Sequence, residues 1–208
     1  MKKIILATKN KNKIREFNEM LNGFEILSLD DIGFVGDIEE TGKTSSENSK
    51  IKALAIKEFC DNKGIDFPII ADDSGLFVNS LGGEPGINSA RYAGDHNDEA
   101  NRQKLLKNMA GKIDRNAYFE CAICYVSKAD LKLFIGRTYG TIAERKIGDE
   151  TFGYDCLFIS SDLQKTFGEA TKEEKDAVSH RGRAVEQLVK WLNGGRDPNF
   201  DRTLKFNK

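Results

Sequence analysis

The sequence predicts an α/β fold in which helices flank a central mixed β-sheet. Short runs of β-forming residues alternate with stretches whose apolar residues recur at helical spacing, and two longer alternating runs have the form of an antiparallel hairpin. A length of 208 residues with 39% hydrophobic residues supports one compact core, or at most two closely packed lobes. We therefore predict a single domain over 1–208.

The first half of the chain predicts three strands and two helices. The strands are predicted at 3–7, 25–29 and 67–71. The first helix follows the first strand and is marked by Ile14, Phe17, Met20 and Leu21. The second, amphipathic helix follows the second strand, begins after Thr44 or Ser45, and is marked by Ile51, Leu54, Ala55, Glu58 and Phe59. An irregular acidic stretch at 30–42 precedes the second helix. The last strand is expected to end at Asp72 and Asp73, with 76–78 continuing it after a bend.

The second half predicts a helix, a hairpin and a helical C-terminal region. The helix is capped by Asp95 or Asn97 and reaches Met109, and the hairpin pairs 117–127 with 131–138. A strand-like apolar run follows at 156–159. Thr171 and Glu174 have capping-box spacing, 179–182 is expected to break or cap a helix, and a last helical stripe ends at Asn193 and Gly194.

Charge and hydropathy exclude several classes of partner. Lys and Arg total 32 and Asp and Glu total 33, so a net charge of -1 provides no overall attraction to nucleic acid or to an anionic membrane. The apolar run near the N-terminus spans only 4–7, which is too short for a signal peptide or a membrane span. We predict a cytoplasmic protein.

The four cysteines are too sparse for a disulfide scaffold in a chain of this length. Cys121 and Cys124 form a C-x-x-C motif, which is also typical of zinc and redox sites. They lie in an alternating β-type run, however, where their side chains point to opposite faces of a strand. The sequence therefore favours buried, reduced thiols.

A cluster of basic residues lies near the N-terminus. Six basic residues and no acidic one occur in this stretch, namely Lys2, Lys3, Lys9, Lys11, Lys13 and Arg15. Thr8, Asn10 and Lys13 lie where a strand leads into a helix, and the free N–H groups and positive dipole end of such a junction suit phosphate oxygens. An ordinary solvated turn explains this segment equally well. The spacing is not that of a Walker A loop, which argues against a P-loop kinase or GTPase.

Two adjacent carboxylates, Asp72 and Asp73, follow a strongly apolar run. Strand ends in open α/β sheets commonly face ligand crevices, and hard oxygen ligands suit Mg²⁺ or Mn²⁺. Glu39 or Glu40 in the preceding loop can supply a second carboxylate. The alternative is a turn that one of the aspartates caps through Ser74 and Gly75.

Two further segments carry side chains suited to a nucleotide. Phe152 lies beside Gly153, which leaves a ring face open for a base, although core packing of Phe152 and Tyr154 is the simpler explanation. Lys175, His180 and Arg181 form a basic stretch in a helical region and can contact phosphates or a carbonyl on a base edge. Solvated charges at a capped helix start are the alternative.

Taken in order, these segments resemble the inosine triphosphatase family, also called the Ham1-like family of non-canonical purine nucleoside triphosphate pyrophosphatases. The matching segments cover nearly the whole chain and lie at 7–13, 39–42, 71–76, 85–94, 152–155, 174–175 and 179–182. Each segment is weak alone, and the ordered set is specific. Two positions depart from the family pattern: Lys9 replaces a small residue, and Cys156 replaces a proline.

The resemblance implies a homodimeric α/β protein with a substrate cleft between two lobes, and it implies a role for each matching residue. Glu40 and Asp73 bind Mg²⁺, which Mn²⁺ can replace, and Asp73 is also the catalytic base. The residues implied to bind the substrate are Thr8, Lys9, Asn10, Lys11, Asn12, Lys13, Ser74, Phe152, Gly153, Tyr154, Asp155, Lys175, His180 and Arg181. Because a bound cation lowers the proton affinity of a carboxylate, Asp72 or a metal-bound hydroxide is an alternative base.

The implied reaction is hydrolysis of the inosine, deoxyinosine and xanthosine triphosphates (ITP, dITP and XTP) to a nucleoside monophosphate and pyrophosphate. Two alternatives stay open: a pyrophosphatase for pyrimidine or modified nucleotides, and a sensor that binds nucleotides without turnover. An RNA-binding module fits less well, because the basic residues cluster in one loop and do not follow an extended face with repeated aromatic residues.

Overall fold

The computed structural model describes residues 2–94, 97–149 and 152–194, and these form a mixed sheet flanked by helices. The strands are β1 (Lys2–Leu6), β2 (Phe24–Leu27), β3 (Ile69–Val78), β4 (Pro85–Gly86), β5 (Asn116–Val126), β6 (Leu131–Ile142) and β7 (Phe158–Ser160). The helices are α1 (Lys11–Met20), α2 (Ser45–Asn62), α3 (Asp98–Asn108), α4 (Lys172–Val178) and α5 (His180–Leu192). The predicted α/β class with a mixed sheet is confirmed.

The strand order is β2-β1-β3-β5-β6-β7, and β4 pairs with β3 outside this path. β1 runs parallel to both β2 and β3, whereas β5 pairs antiparallel with β3 and with β6. The predicted hairpin is therefore the β5–β6 pair, and β6 continues beyond the predicted end to Ile142. Within the described parts of the chain, none of the helices has the combined length and apolar character that crossing a bilayer requires.

The helix boundaries follow the capping residues. Thr44 accepts a hydrogen bond from the Glu47 N–H, and Asn97 caps α3 in the same way. Asp95, the other predicted cap of α3, lies outside the described residues. Thr171 and Glu174 form a full capping box at α4, which confirms the predicted motif.

Alternation along the strands divides the interior between the two faces of the sheet. Ile4 and Leu6 of β1 pack with α1 and α5 on one face, and Ile5 packs with α2 on the other. The same alternation separates Cys121 from Cys124, and all four cysteines are buried. The prediction of buried thiols on opposite faces is confirmed.

The predicted end of the third strand is wrong. β3 runs unbroken from Ile69 to Val78, and each of its residues has a partner on β5, including Asp72 opposite Ile123 and Asp73 opposite Ala122. The long antiparallel ladder continues through the two aspartates because β5 supplies hydrogen-bonding partners well beyond the point where β1 ends. The two carboxylates therefore lie on opposite faces in mid-strand. The apolar run at 156–159 also differs from the prediction, because β7 begins only at Phe158, after a helical turn at Asp155–Leu157.

The inward face of α2 also differs from the prediction. Leu54 is 41% exposed, and the buried residues are Ser45, Asn48, Ser49, Lys52, Ala53, Ile56 and Cys60. The first half of α2 thus turns polar side chains inward. Lys52 lines a cavity and Asn48 donates a hydrogen bond to Asp73, so an apolar stripe cannot mark this face.

Candidate active site

A cavity of about 600 Å³ opens beside β3, and this volume suits a ligand the size of a nucleotide. Its walls come from the β1–α1 loop, the 34–40 segment, the middle of β3, the 87–91 segment, the 152–155 segment, and the adjacent parts of α4 and α5. The predicted site residues in its lining are Thr8, Lys9, Asn10, Asn12, Lys13, Glu40, Asp73, Ser74, Phe152, Gly153, Tyr154, Asp155, Lys175, His180 and Arg181. Lys11 is not in the lining, because it is exposed at the first position of α1.

The β1–α1 loop brings a helix N-terminus to the cavity. The Asn10 Oδ1 accepts hydrogen bonds from the Asn12 and Lys13 N–H groups at 3.0 and 3.2 Å and so caps α1. The Thr8 Oγ1 accepts from the Asn10 N–H at 3.2 Å. Lys9 reaches across to Asp37, whose Oδ1 lies 2.6 Å from the Lys9 Nζ. The loop therefore carries the positive end of the α1 dipole and two ammonium groups.

Asp72 lies on the α1 and α5 side of β3 and is fully buried. Its Oδ2 lies 2.9 Å from the Lys13 Nζ and 3.4 Å from the Arg181 Nη2, and it accepts a hydrogen bond from the Ser74 Oγ. Burial alone raises a carboxyl pKa, but the two cations outweigh it and hold the pKa of Asp72 far below its ordinary 3.8. Asp72 is thus a permanently ionised anchor for two basic side chains.

Asp73 lies on the opposite side of β3 and lines the cavity. The Asn48 Nδ2 donates to its Oδ2 at 3.2 Å, and the Lys52 Nζ lies 3.7 Å from its Oδ1. Burial raises the pKa of Asp73 and, with the nearby charge of Glu40, outweighs the opposing effect of Lys52, so the pKa stays above 3.8. The Asp73 carboxylate is therefore the more basic of the two aspartates.

Glu40 and Asp73 converge on one cation, the Lys52 ammonium, which lies 2.8 Å from the Glu40 Oε1. Although burial lowers it, the pKa of Lys52 is raised by Asp73, Asp72 and Glu40, so the ammonium is charged. Across the described ranges, no three His, Cys, Asp or Glu side chains form a group that could hold a metal. Two carboxylates that face a cavity match the protein's usual share of a Mg²⁺ site, in which water and phosphate supply the other oxygens.

The part of the cavity wall formed by the 152–155 segment and Lys175 carries aromatic rings and paired charges. Lys175 donates to Asp155 at 2.6 Å and its Nζ lies 5.5 Å from the centre of the Phe152 ring. Tyr154 is buried in the core, and its hydroxyl donates to the Ser89 carbonyl, so core packing holds for Tyr154. Phe152 is half-buried and lines the cavity.

His180 and Arg181 begin α5, which Ser179 caps as predicted. The His180 ring stacks on Phe119, with ring centres 4.8 Å apart. Burial, reinforced by the charges of Arg181 and Lys175, lowers the pKa of His180 well below 6.5, so the ring is neutral at pH 7. Among the described residues, the buried His180 Nδ1 and Arg181 Nε have no hydrogen-bond partner. Both residues line the cavity, although these two atoms are themselves enclosed by protein.

Comparisons with known proteins identify the family of the chain. The family model described as the Ham1 family matches residues 4–191. The chain belongs to the Ham1 family. Among relatives, the dITP/XTP pyrophosphatase of Clostridium perfringens is 48% identical over 93% of this chain and 98% of its own length, and that of Bacillus subtilis is 43% identical over 92% and 98%.

Solved Ham1 structures share the fold. The Staphylococcus aureus Ham1 protein has a TM-score of 0.82 and 39% identity, covering 93% of this chain and 99% of its own. A HAM1 protein from Coxiella burnetii has the same TM-score, with 36% identity over 94% and 100%. The match extends over nearly the full length in both cases.

The site also contains residues that were not predicted from the sequence. Glu16 is buried between Lys175 and Arg181, and it pairs with both. Glu16 lies three residues after Lys13 and therefore on the same face of α1, and this spacing could have indicated that it belongs to the site. Lys52 and Asn48 lie on the inward polar face of α2. Asp98 accepts from the Gly153 N–H at 3.0 Å, a contact between distant segments that sequence spacing cannot show.

Proposed function

We propose that this chain hydrolyses non-canonical purine nucleoside triphosphates, namely ITP, dITP and XTP, to the nucleoside monophosphate and pyrophosphate. One observation carries the proposal: a single cavity is lined by the N-terminal turn of α1 with Lys13, by His180 and Arg181 at the start of α5, and by the two carboxylates Glu40 and Asp73. The relatives named dITP/XTP pyrophosphatase, which match over nearly the full chain, support the same reaction.

The triphosphate would lie along the β1–α1 loop. The Thr8 hydroxyl, the positive end of the α1 dipole and the Lys13 ammonium provide a donor and positive charge there. Lys9 lies in the same wall and gives this chain one more cation than the family pattern has. Asp72 holds Lys13 in place and stays ionised while it does so.

In the proposed reaction, Asp73 accepts a proton from a water molecule as the water oxygen attacks the α-phosphorus. The bond from the α-phosphorus to the bridging oxygen breaks, and pyrophosphate leaves with its charge stabilised by Lys13 and the positive end of the α1 dipole. Glu40 and Asp73 would hold Mg²⁺, or Mn²⁺ in its place, and a bound cation supplies neutralising charge for the phosphate oxygens. Asp72 fits the base role less well, because it is buried, paired with two cations and outside the cavity lining.

Base selection would take place at the start of α5. The purine stacks on Phe152, and the buried guanidinium of Arg181 donates to the 6-oxo group of hypoxanthine or xanthine. Adenine presents an amino group there and leaves the donor unpaired, at a cost of roughly 1 to 3 kcal/mol. The neutral His180 ring adds a second polar contact in the same wall.

A substrate panel tests the proposal. The purified chain is incubated with ITP, dITP, XTP, ATP, UTP or TTP, with Mg²⁺ or with chelator, and both orthophosphate and pyrophosphate are measured. We expect pyrophosphate from the first three, little from the others and none with chelator. Faster turnover of UTP or TTP supports the pyrimidine alternative, and saturable ITP binding without product supports the sensor alternative. Release of orthophosphate would contradict attack at the α-phosphorus.

We also propose, from the family resemblance, that the chain is a homodimer with its cleft between two lobes. Molecular mass in solution, measured by light scattering, tests the first part. A mass of about twice the 23.3 kDa of the chain is expected. The mass of a single chain would contradict it.

A further inference from the structure

Gly136 in β6 lies directly beneath the first turn of α5. A Cβ atom on this residue would lie 2.0 Å from the His180 carbonyl oxygen and 2.6 Å from the Ala184 nitrogen. These distances are far shorter than a carbon atom tolerates, and both atoms belong to backbone that cannot swing away. Only glycine permits this approach of helix to strand.

Side-chain hydrogen bonds fix the same approach on both sides of Gly136. Arg183 donates from Nη1 to the Arg137 carbonyl at 2.7 Å, and Gln187 donates to the Ile135 carbonyl at 2.8 Å. β7 pairs with β6 further along, at 140–142, so α5 covers the edge of β6 at 135–137. The helix is therefore set against the strand by a steric contact and two hydrogen bonds.

The turn held against Gly136 is the one that carries His180 and Arg181. The Arg181 guanidinium contacts Glu16 and also Asp72 and Ser74, at 3.4 and 3.2 Å from its Nη2. A displacement of the helix start by even one ångström would break this set of contacts and move both side chains in the cavity wall.

We propose that Gly136 is a positioning residue for base selection, which sets the distance from β6 to α5 and so places Arg181 and His180 against the base. The inference rests on the proposed function, since it needs those two side chains to contact the base. Gly136 itself does not touch the substrate, and it acts through the helix.

Gly140 provides a matched control in the same strand. It lies four residues further on the same face of β6, and a Cβ there would lie 2.1 Å from the Ile159 carbonyl oxygen. The steric conflict is equal in size but involves β7 and Phe158 instead of α5. Gly136→Ala and Gly140→Ala should therefore cost similar stability. The Phe158 ring contacts Phe119, which stacks on His180, so Gly140→Ala should disturb base selection less than Gly136→Ala, which displaces α5 itself.

The experiment measures kcat/KM for ITP and for ATP in the wild type and in both variants. Their ratio does not depend on the fraction of folded enzyme, because the same molecules act on both substrates. Gly136→Ala should lower the ITP/ATP ratio by about tenfold, the size expected for loss of one well-placed donor. Gly140→Ala should lower the ratio by much less. The inhibition constant of inorganic tripolyphosphate, which has no base, should stay the same in both variants.

An unchanged ratio in Gly136→Ala, or an equal fall in Gly140→Ala, would overturn the inference. If Gly136→Ala does not fold, Arg183→Met tests the same placement without a steric conflict. It removes the hydrogen bond to the Arg137 carbonyl together with an exposed ion pair to Asp162, and it should lower the ratio by about threefold through loss of the former. An unchanged ratio in that variant also overturns the inference. A wild-type chain with no preference for ITP over ATP would refute the proposed function itself, and that result is visible before any variant is compared.

Discussion

The two faces of β3 give adjacent aspartates opposite surroundings. On one face, Asp72 contacts Lys13 and Arg181 and has a pKa far below the ordinary value. On the other face, Asp73 shares Lys52 with Glu40 and has a raised pKa. The side-chain period of a strand, which is two, is enough to separate a structural anion from a proposed base.

The comparison also shows that burial alone does not decide the charge state of a carboxyl group. Asp72 is the more deeply buried of the two and still has the lower pKa, because two cations lie against one of its oxygens. Within the described parts of the chain, Lys52 is the one cation within 4 Å of the Asp73 carboxylate, and a second carboxylate, Glu40, competes for it. The number and sign of the nearest charges therefore decide the outcome.

The largest expected effect is loss of activity in Asp73→Asn. Removing the proposed base should lower kcat/KM for ITP by roughly a thousandfold, within the range for general-base catalysis. Pyrophosphate release with Mg²⁺ measures this, and circular dichroism checks that the variant is folded. Activity near the wild-type level would show that Asp73 is not the base.

Stability should change mainly in Asp72→Asn. This change leaves Lys13 and Arg181 without their shared buried anion and should lower the free energy of unfolding by about 3 kcal/mol. Asp73→Asn should be at least as stable as the wild type at pH 7, because a raised pKa means that the folded state disfavours the ionised carboxyl group. Denaturant titration of both variants measures the difference, and equal losses would remove the contrast between the two faces.

The pH dependence of these stability differences should have opposite signs in metal-free protein. The contribution of Asp72 has its full size above pH 3.8 and is lost as pH falls through its lower folded pKa. The cost of ionised Asp73 is absent below pH 3.8 and appears as pH rises through its raised folded pKa. Unfolding free energies of each variant and the wild type, measured across this range, test the signs. Parallel curves would contradict them.

A smaller effect is expected from Asp98, a carboxylate that contacts neither aspartate but lines the same cavity. It accepts from the Gly153 N–H while Arg102 donates to the Gly153 carbonyl at 2.9 Å, so the two residues hold the segment next to Phe152. Asp98→Ala should raise KM for ITP by about fivefold, which corresponds to one lost hydrogen bond. A fall in kcat with unchanged KM would point instead to a role at the phosphate end.

Local chemistry explains what the sequence could predict. The capping residues at Thr44, Asn97, Thr171 and Ser179 act through their own backbone neighbours, so the helix boundaries could be predicted from short motifs. Most of the residues predicted from the ordered set of motifs line one cavity in the structure, although each motif alone was ambiguous.

The failures share a cause, because each depends on a partner distant in the chain. The extent of β3 depends on β5, about fifty positions later, and no local signal shows that the ladder passes through the aspartates. The inward face of the first half of α2 is polar because Asn48 and Lys52 contact Asp73 and Glu40, so the apolar pattern indicated the exposed Leu54 instead. Glu16 is explained only by Lys175 and Arg181, which come from the other end of the chain.

The most direct test of the contrast between the two aspartates is an NMR titration of their side-chain carboxyl carbons in metal-free protein. Comparison with Asp72→Asn and Asp73→Asn spectra assigns the two signals. The structure predicts that Asp73 titrates above pH 3.8 and that Asp72 stays ionised well below it. Titration of both groups at the same pH, or of Asp72 at the higher one, would contradict the account.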